Sequence, residues 1–318
     1  VANDVAVIEL GRAVCTDLAT AEQREWLVTN GLGSFAAGTV AGLQTRRYHG
    51  LLVAALKPPG GRTYLVTKLE ESATYDGRTY AFSCNRWGDG TVAPTGYRFL
   101  TSFRFAGCVP VWSYAFADAI VEKRVWMEQG AQTTYVSYCV TEGIGAVALS
   151  LRALVNYRDF HAATHAGDWQ MSIVKVADGV RVLAFDGATP FFVRAPGATC
   201  ETAHVWYRDF DLSAARARGL DDREDHLHAA TFGATLRGGE SLTVVASLVE
   251  TPADHAGGGA ALARQRSHEA TIFAAFDANA AGHEPDWIRS RALVADQFVV
   301  DVPLAPAERA QTVIAGYH

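Results

Sequence analysis

Apolar residues recur in short runs along the first 250 positions of this chain. Trp112, Tyr114 and Phe116 alternate with small or polar neighbours, and Val147, Leu149 and Leu151 do the same. A period of two marks strands with one face turned to a core. The pattern predicts strands at residues 5–10, 63–69, 78–82, 97–105, 111–116, 120–127, 133–141, 146–155, 171–176, 180–185, 191–194, 204–210, 230–236 and 242–249. Within 97–105, Tyr97, Phe99, Phe103 and Phe105 are expected on one face. Turn formers fill the gaps, among them Pro58-Pro59-Gly60-Gly61, Asp76-Gly77 and the run from Asn85 to Gly90. No helical pattern alternates with these strands, which excludes a doubly wound α/β fold. The number of strands exceeds an immunoglobulin-like sandwich and points to one large antiparallel β-sandwich over residues 1–255.

The pattern changes at Pro252. Gly257-Gly258-Gly259 reads as a break, and a helix is predicted over 260–278 with Ile272, Phe273 and Phe276 as its buried stripe. Pro285 suits a helix start, and 287–299 reads as an amphipathic helix carrying Ile288, Leu293, Val294 and Phe298. Residues 256–282 are thus expected to be a helical linker. Residues 283–318 either pack on the sandwich or open a further domain. Near the other end, Thr20 with Gln23 is predicted to cap one short helical turn.

Composition narrows the class of partner. The 318 residues are 49% hydrophobic and 19% charged, a globular balance. A net charge of −6 gives no electrostatic footprint for nucleic acid. The 28 cations are four lysines and 24 arginines, so a single arginine carries less weight than it would elsewhere. Cysteines 15, 84, 108, 139 and 200 are odd in number and widely spaced, which fits reduced thiols and a cytoplasmic location. No apolar run approaches a membrane span. Dinucleotide, phosphate-loop and nucleophile-elbow motifs are missing, and His268-Glu269-Ala270-Thr271 fails the zinc pattern, so neither cofactor nor metal is expected.

Three stretches carry candidate chemistry. Residues 25–55 read EWLVTNGLGSFAAGTVAGLQTRRYHGLLVAA, with apolar flanks around a turn and a polar knot at Arg46, Arg47, Tyr48 and His49. The knot is either a solvated surface loop or a rigid polar lining. In the second stretch, strand alternation gives way to Asn156, Tyr157, Arg158, Asp159 and His161, a mixture suited to a neutral, hydroxyl-rich ligand. The plain alternative is a turn held by an Arg158–Asp159 network. The third runs from Trp206-Tyr207-Arg208 into the acidic segment 218–225. That segment supplies paired carboxylates of glycosidase type only at separations of about 5 Å or about 6.5–9.5 Å; otherwise it is a salt-bridged loop. Trp87 and Trp206 are the tryptophans best placed for a sugar surface.

The first stretch resembles the opening signature of the bacterial and archaeal type of glycogen debranching enzyme, the amylo-α-1,6-glucosidase family. Further matches follow in that family's order: Asn85-Arg86, Gly96-Tyr97-Arg98, residues 122–127, residues 154–161, Trp206-Tyr207-Arg208 and residues 218–225. The resemblance implies an N-terminal supersandwich like that preceding the catalytic domain of bacterial glucoamylases. It also implies a C-terminal (α/α)6 barrel that carries the catalytic carboxylates. Residues 287–299 would be the first helix of that barrel, with the remainder beyond this sequence. The implied reaction is hydrolysis of α-1,6-linked glucose at branch stubs, and the implied partners are an α-glucan and the chain's own catalytic domain. Arg46, Arg47, Tyr48, His49, Asn156, Arg158, Asp159, His161, Tyr207 and Arg208 would then stand at the substrate wall or the domain interface, with no catalytic residue in this chain. A stand-alone glucan-binding module and a self-sufficient glycosidase using Asp159 with Asp222 or Glu224 are the other readings.

Overall fold

The computed structural model describes residues 8–250, 258–280, 285–305 and 308–317. The period-two runs pair into two large antiparallel sheets. One has nine strands in the order Glu9–Gly11, Leu100–Ala106, Val109–Phe116, Ala119–Met127, Thr133–Glu142, Ser241–Ser247, Phe191–Arg194, Gly179–Leu183 and Ser172–Val176. The other has eight. Seven follow the order Thr199–Asp211, Arg223–Leu236, Val147–Asp159, Gly60–Tyr75, Gly50–Lys57, Phe35–Thr39 and Glu25–Thr29, and Arg78–Ala81 adds to Gly60–Tyr75.

The sheets bury one main core between them. Val121, Val125 and Val136 from the nine-stranded sheet share it with Leu69, Leu151 and Leu227 from the other. Trp26 meets Trp112 edge-on at 5.3 Å, and Phe82 stacks on Tyr114 at 4.8 Å. Such pairs add about 0.5–1.5 kcal/mol each to plain burial. The expected antiparallel β-sandwich is therefore present.

Several local expectations change. The aromatic face of 97–105 is interrupted, because Gly96–Phe99 forms a 3-10 turn and the strand begins at Leu100. Gly96 lies against the Phe82 and Ser83 main chain, a closeness that leaves no room for a Cβ. The short helix Leu18–Ala21 is capped by Asp17, whose carboxylate accepts from the Thr20 N–H at 2.8 Å, rather than by Thr20 with Gln23. The breaks expected at Pro252 and Gly257 lie outside the described residues.

The long helix, Gly259–Asn279, buries Ala261, Gln265 and Glu269 rather than Ile272, Phe273 and Phe276. The polar stripe wins because Glu269 accepts the Cys108 N–H at 2.9 Å and Gln265 Nε2 at 3.2 Å. Helix Asp286–Asp296 follows, burying Leu293 but leaving Val294 55% exposed. It ends before Val299, which opens the hairpin Val299–Ala305 and Glu308–Val313. The described residues contain no α/α barrel.

His268 joins the two helices, its Nε2 standing 2.8 Å from Asp296 Oδ2. The hydrogen bond to Asp296 raises the His268 pKa; burial opposes this, and the charges of Asp296 and Glu269 add to the rise. A raised folded pKa makes the contact fully stabilising below the unfolded value of about 6.5, and the gain is lost as pH rises through the folded value. Hydrogen exchange from helix Asp286–Asp296, corrected for the intrinsic pH dependence, is expected to accelerate across that interval. His268→Asn should remove the pH dependence; an unchanged profile in the variant would refute the assignment.

Candidate functional site

The eight-stranded sheet also carries structure on the face turned away from the main core. There Phe35, Ala37, Val53 and Tyr64 form a second apolar cluster, and a buried polar network continues from it. Alternation along Val147–Asp159 sends Val155 to the main core and brings Asn156 and Arg158 to this outer face. Arg158 lies opposite Tyr64 in register, its guanidinium 4.0 Å from the ring centroid. Nε and Nη2 of Arg158 both reach the Glu224 carboxylate, the second at 2.8 Å. Nη2 donates also to Arg47 O at 2.6 Å, and Nη1 donates to the carbonyls of Asp159 and Phe160 at 3.2 Å. A two-pronged pair of this kind suits a buried guanidinium. Burial pushes the Glu224 carboxyl up, while the charge and hydrogen bonds of Arg158 pull it down.

Asn156 fastens the next layer. Its amide donates to Asp225 O at 3.0 Å and to His226 Nδ1 at 3.2 Å, and its oxygen accepts from Thr164 Oγ1 at 2.7 Å. Burial, with Arg158 and Lys68 near, holds His226 well below the ordinary histidine range, so the ring is neutral and Nδ1 is free to accept. His226 is enclosed between Tyr64 and Phe210.

The polar knot roofs this network. Thr45 O accepts the N–H groups of Ala214 and Ala215 at 2.9 and 3.1 Å, which seats the knot on helix Ser213–Arg216. Arg47 is buried and donates to the carbonyls of His161 and Asp221. Arg46 donates to Glu25 at 2.6 Å, and His49 lies 3.3 Å from the same carboxylate with its Nδ1 accepting from Thr45 N–H. Gln44 donates to both His49 O and Tyr64 Oη at 2.7 Å.

Polar side chains rim the roof where it meets solvent. Tyr48 Oη is 3.1 Å from His161 Nδ1, and its ring packs on Phe160. His165 pairs with Asp221 at 3.0 Å. That hydrogen bond raises the His165 pKa; for Asp221, burial pushes upward but the bonds from His165 and the Arg223 N–H hold the carboxyl low. Asp159 is exposed and accepts the His161 N–H at 2.9 Å. The final aromatic, Tyr317, docks beside this rim. It touches Phe35 and Phe298, with the Arg62 guanidinium 4.9 Å from its ring. Arg62 also lies 5.3 Å from the Phe160 ring and donates to Gly33 O at 2.9 Å.

The structure thus joins the first two candidate stretches and the acidic segment into one network. Tyr207 and Arg208 sit apart on edge strand Thr199–Asp211. Tyr207 faces His228, and Arg208 reaches the network only through Asp225 at 3.8 Å. Arg158 pairs with Glu224 rather than with the Asp159 carboxylate. Trp87 and Trp206 have their indole N–H groups bonded to Ala93 O and Trp169 O. Sequence reasoning overlooked Tyr64, Arg62 and Tyr317. The one available signal was Arg62 and Tyr64 two positions apart, a spacing that puts a cation and an aromatic on one face of a strand.

As glycosidase carboxylates, the acidic residues are poorly disposed. Glu224 is 1% exposed and committed to Arg158, while Asp222 is bonded to Arg216. Among the described residues no group of three or more His, Cys, Asp or Glu is placed to hold a metal ion. Among them, too, no helix is long and apolar enough to cross a membrane.

A family model described as "Glycogen debranching enzyme N terminal" matches residues 24–243. The chain belongs to this family. All ten candidate residues and the Arg158–Glu224 pair fall inside the matched span, whereas the two helices and Tyr317 fall outside it. No curated protein matches the chain. Among solved structures, the chain is similar to a bacterial glucoamylase complexed with acarbose, at 8% identity and a TM-score of 0.35, covering 87% of this chain and 36% of that one. It is also similar to a protein described as a kojibiose phosphorylase from human microbiome, at 9% identity and a TM-score of 0.30, covering 73% of this chain and 28% of that one. This chain therefore spans about a third of the length of each.

Proposed function

We propose that this chain is the non-catalytic N-terminal part of a glycogen debranching enzyme that hydrolyses α-1,6-linked glucose at branch stubs. In this reading it supports a catalytic α/α barrel continuing beyond residue 318, whose first helix is Asp286–Asp296, and it walls one side of the substrate entrance. The observation that carries the reading is the match to the debranching-enzyme N-terminal family over residues 24–243. The geometry supports it in a more limited way. The rim of Tyr48, His161, His165 and Asp221 borders the aromatic seat of Tyr317. Hydroxyl, imidazole and carboxylate groups there offer both donors and acceptors, as an oligosaccharide requires. Arg47, Arg158 and Asn156 lie beneath the rim as its support. The family's ligand is a neutral glucan, so nucleic acid, cofactor and membrane have no part in this proposal, and the cytoplasm is the proposed location.

The test is glucose release from a phosphorylase limit dextrin. The 318-residue chain alone is expected to give none above blank, because Glu224 is buried against Arg158 and Asp222 is held by Arg216. In a chain extended through the barrel, Tyr48→Ala and His161→Ala are expected to raise KM about three- to tenfold with kcat little changed, the mark of lost uniform binding. His161 is exposed and Tyr48 half-buried against Phe160, so the melting temperature of each variant is read beside its KM. Turnover by the 318-residue chain would overturn the non-catalytic assignment; unchanged KM in both variants would overturn the wall.

A further inference from the structure

We infer that the chain has a second α-glucan contact, an aromatic platform of Tyr157, Trp169, Phe185 and Trp206 at the open end of the sandwich. The inference rests on the proposed reading that the ligand is a glucan, and it locates a surface distinct from the rim. Alternation places Tyr157 on the side of its strand opposite Asn156 and Arg158. Four separate segments supply the rings. Tyr157 lies near the end of strand Val147–Asp159, Trp169 lies in the connection after it, Phe185 follows strand Gly179–Leu183, and Trp206 belongs to edge strand Thr199–Asp211. The two indoles lie against one another, 5.9 Å apart and 31° from parallel, each half-buried. Phe185 stands against Tyr157 at 5.3 Å and 81°, forming a lip.

The polar handles of these rings are already engaged. Trp169 Nε1 donates to Ala184 O at 3.0 Å, Trp206 Nε1 donates to Trp169 O at 3.1 Å, and Tyr157 Oη accepts from the Thr189 N–H at 3.1 Å. The rings are therefore fixed before any ligand arrives, and what they still offer is the apolar surface left uncovered, most of it on Phe185. Tyr157, Trp169 and Trp206 are packed on the main core from within but stay half-buried, and Phe185 is 55% exposed. Pre-organised rings lose little freedom when covered.

The surroundings select the occupant. Asp168 and Gln170 flank Trp169, Asp186 follows Phe185, and all three are exposed. A carboxylate and amide border around flat rings matches a pyranose, which has apolar C–H faces and an equator of hydroxyls. Arg208, exposed and donating to Gly167 O at 3.3 Å, makes the border mixed in charge, which suits a neutral ligand, and its polar breaks disfavour a lipid surface.

The experiment titrates maltoheptaose into the 318-residue chain and follows calorimetric heat and tryptophan fluorescence. The wild-type chain is expected to bind, and Phe185→Ala to weaken binding about two- to tenfold at an unchanged melting temperature. Phe185→Trp should keep binding and report it through its own fluorescence. Absence of wild-type binding, or binding indifferent to Phe185→Ala, would overturn the platform. So would a Phe185-dependent site that takes an apolar dye and excludes maltoheptaose, since that marks an apolar protein partner. None of these failures touches the wall, which is read separately as KM in the extended chain. Conversely, platform binding with unchanged KM at Tyr48 and His161 would leave the platform standing alone.

Discussion

Arg158→Ala is expected to lower the melting temperature of this chain by roughly 10 °C. Arg158 is 7% exposed and Glu224 1%, so the variant strands a carboxylate that has no water to turn to. Removing one partner of a buried pair costs about 3–5 kcal/mol, and a chain of this size loses about 2–4 °C per kcal/mol. The loss extends further, because the same guanidinium holds the carbonyls of Arg47, Asp159 and Phe160, which belong to the knot and the rim. Arg158→Lys should recover only part, since one ammonium cannot reproduce the fork. The double variant Arg158→Met with Glu224→Leu is expected to melt above either single variant, because it leaves no buried charge uncompensated. Differential scanning calorimetry of wild type, Arg158→Ala, Arg158→Lys, Arg158→Met, Glu224→Leu and the double variant decides this, and a melting temperature for Arg158→Ala within a degree or two of wild type would refute the account.

Gly33→Ala is the second large effect, expected at about 2–5 kcal/mol. Gly33 has φ of +90°, where an L side chain is strained. An added Cβ would also run into the Pro59 carbonyl oxygen and stand 3.0 Å from Pro59 Cα. Neither obstacle is a flexible side-chain end, so the 31–34 turn and the Pro59 turn must separate. Overpacking of that kind costs about 1–3 kcal/mol beyond the backbone strain. Separation would also loosen Arg62, which donates to Gly33 O, and with it the seat of Tyr317. Gly42→Ala is the matched control, with φ of +78° and nothing within 4 Å of a Cβ. If both variants lose the same stability in chemical denaturation, the clash contributes nothing.

The strand pattern was legible because one core dictates it. Leu149, Leu151, Val121 and Val125 fall where a period of two places them, and each is buried. The helix stripe was illegible for the opposite reason. Gln265 and Glu269 are buried by a hydrogen bond to the Cys108 main chain and by one another, and hydropathy records only the cost of burying such residues. The candidate site was half legible. Its residue types stood out at Arg46–His49 and Asn156–His161, but the decisive pairing of Arg158 with Glu224 spans 66 positions, and spacing says nothing about it. Nearness in sequence favoured Asp159 as the partner. Strand alternation turns Asp159 to the face opposite Arg158, and Glu224 comes in from the neighbouring strand.

The seat of Tyr317 bears on the order of synthesis. Phe35, Val53, Arg62, Tyr64 and Phe160 all precede Tyr317 by more than 150 positions, and the bond from Arg62 to Tyr317 O spans 255. Domains made on the ribosome tend to fold from the N-terminal side. The sandwich can therefore be finished while the last residues are still unmade, and Tyr317 then arrives at a completed socket. In the proposed enzyme, the nascent catalytic portion would begin from a fixed point with a fixed heading, on a surface that serves as its template.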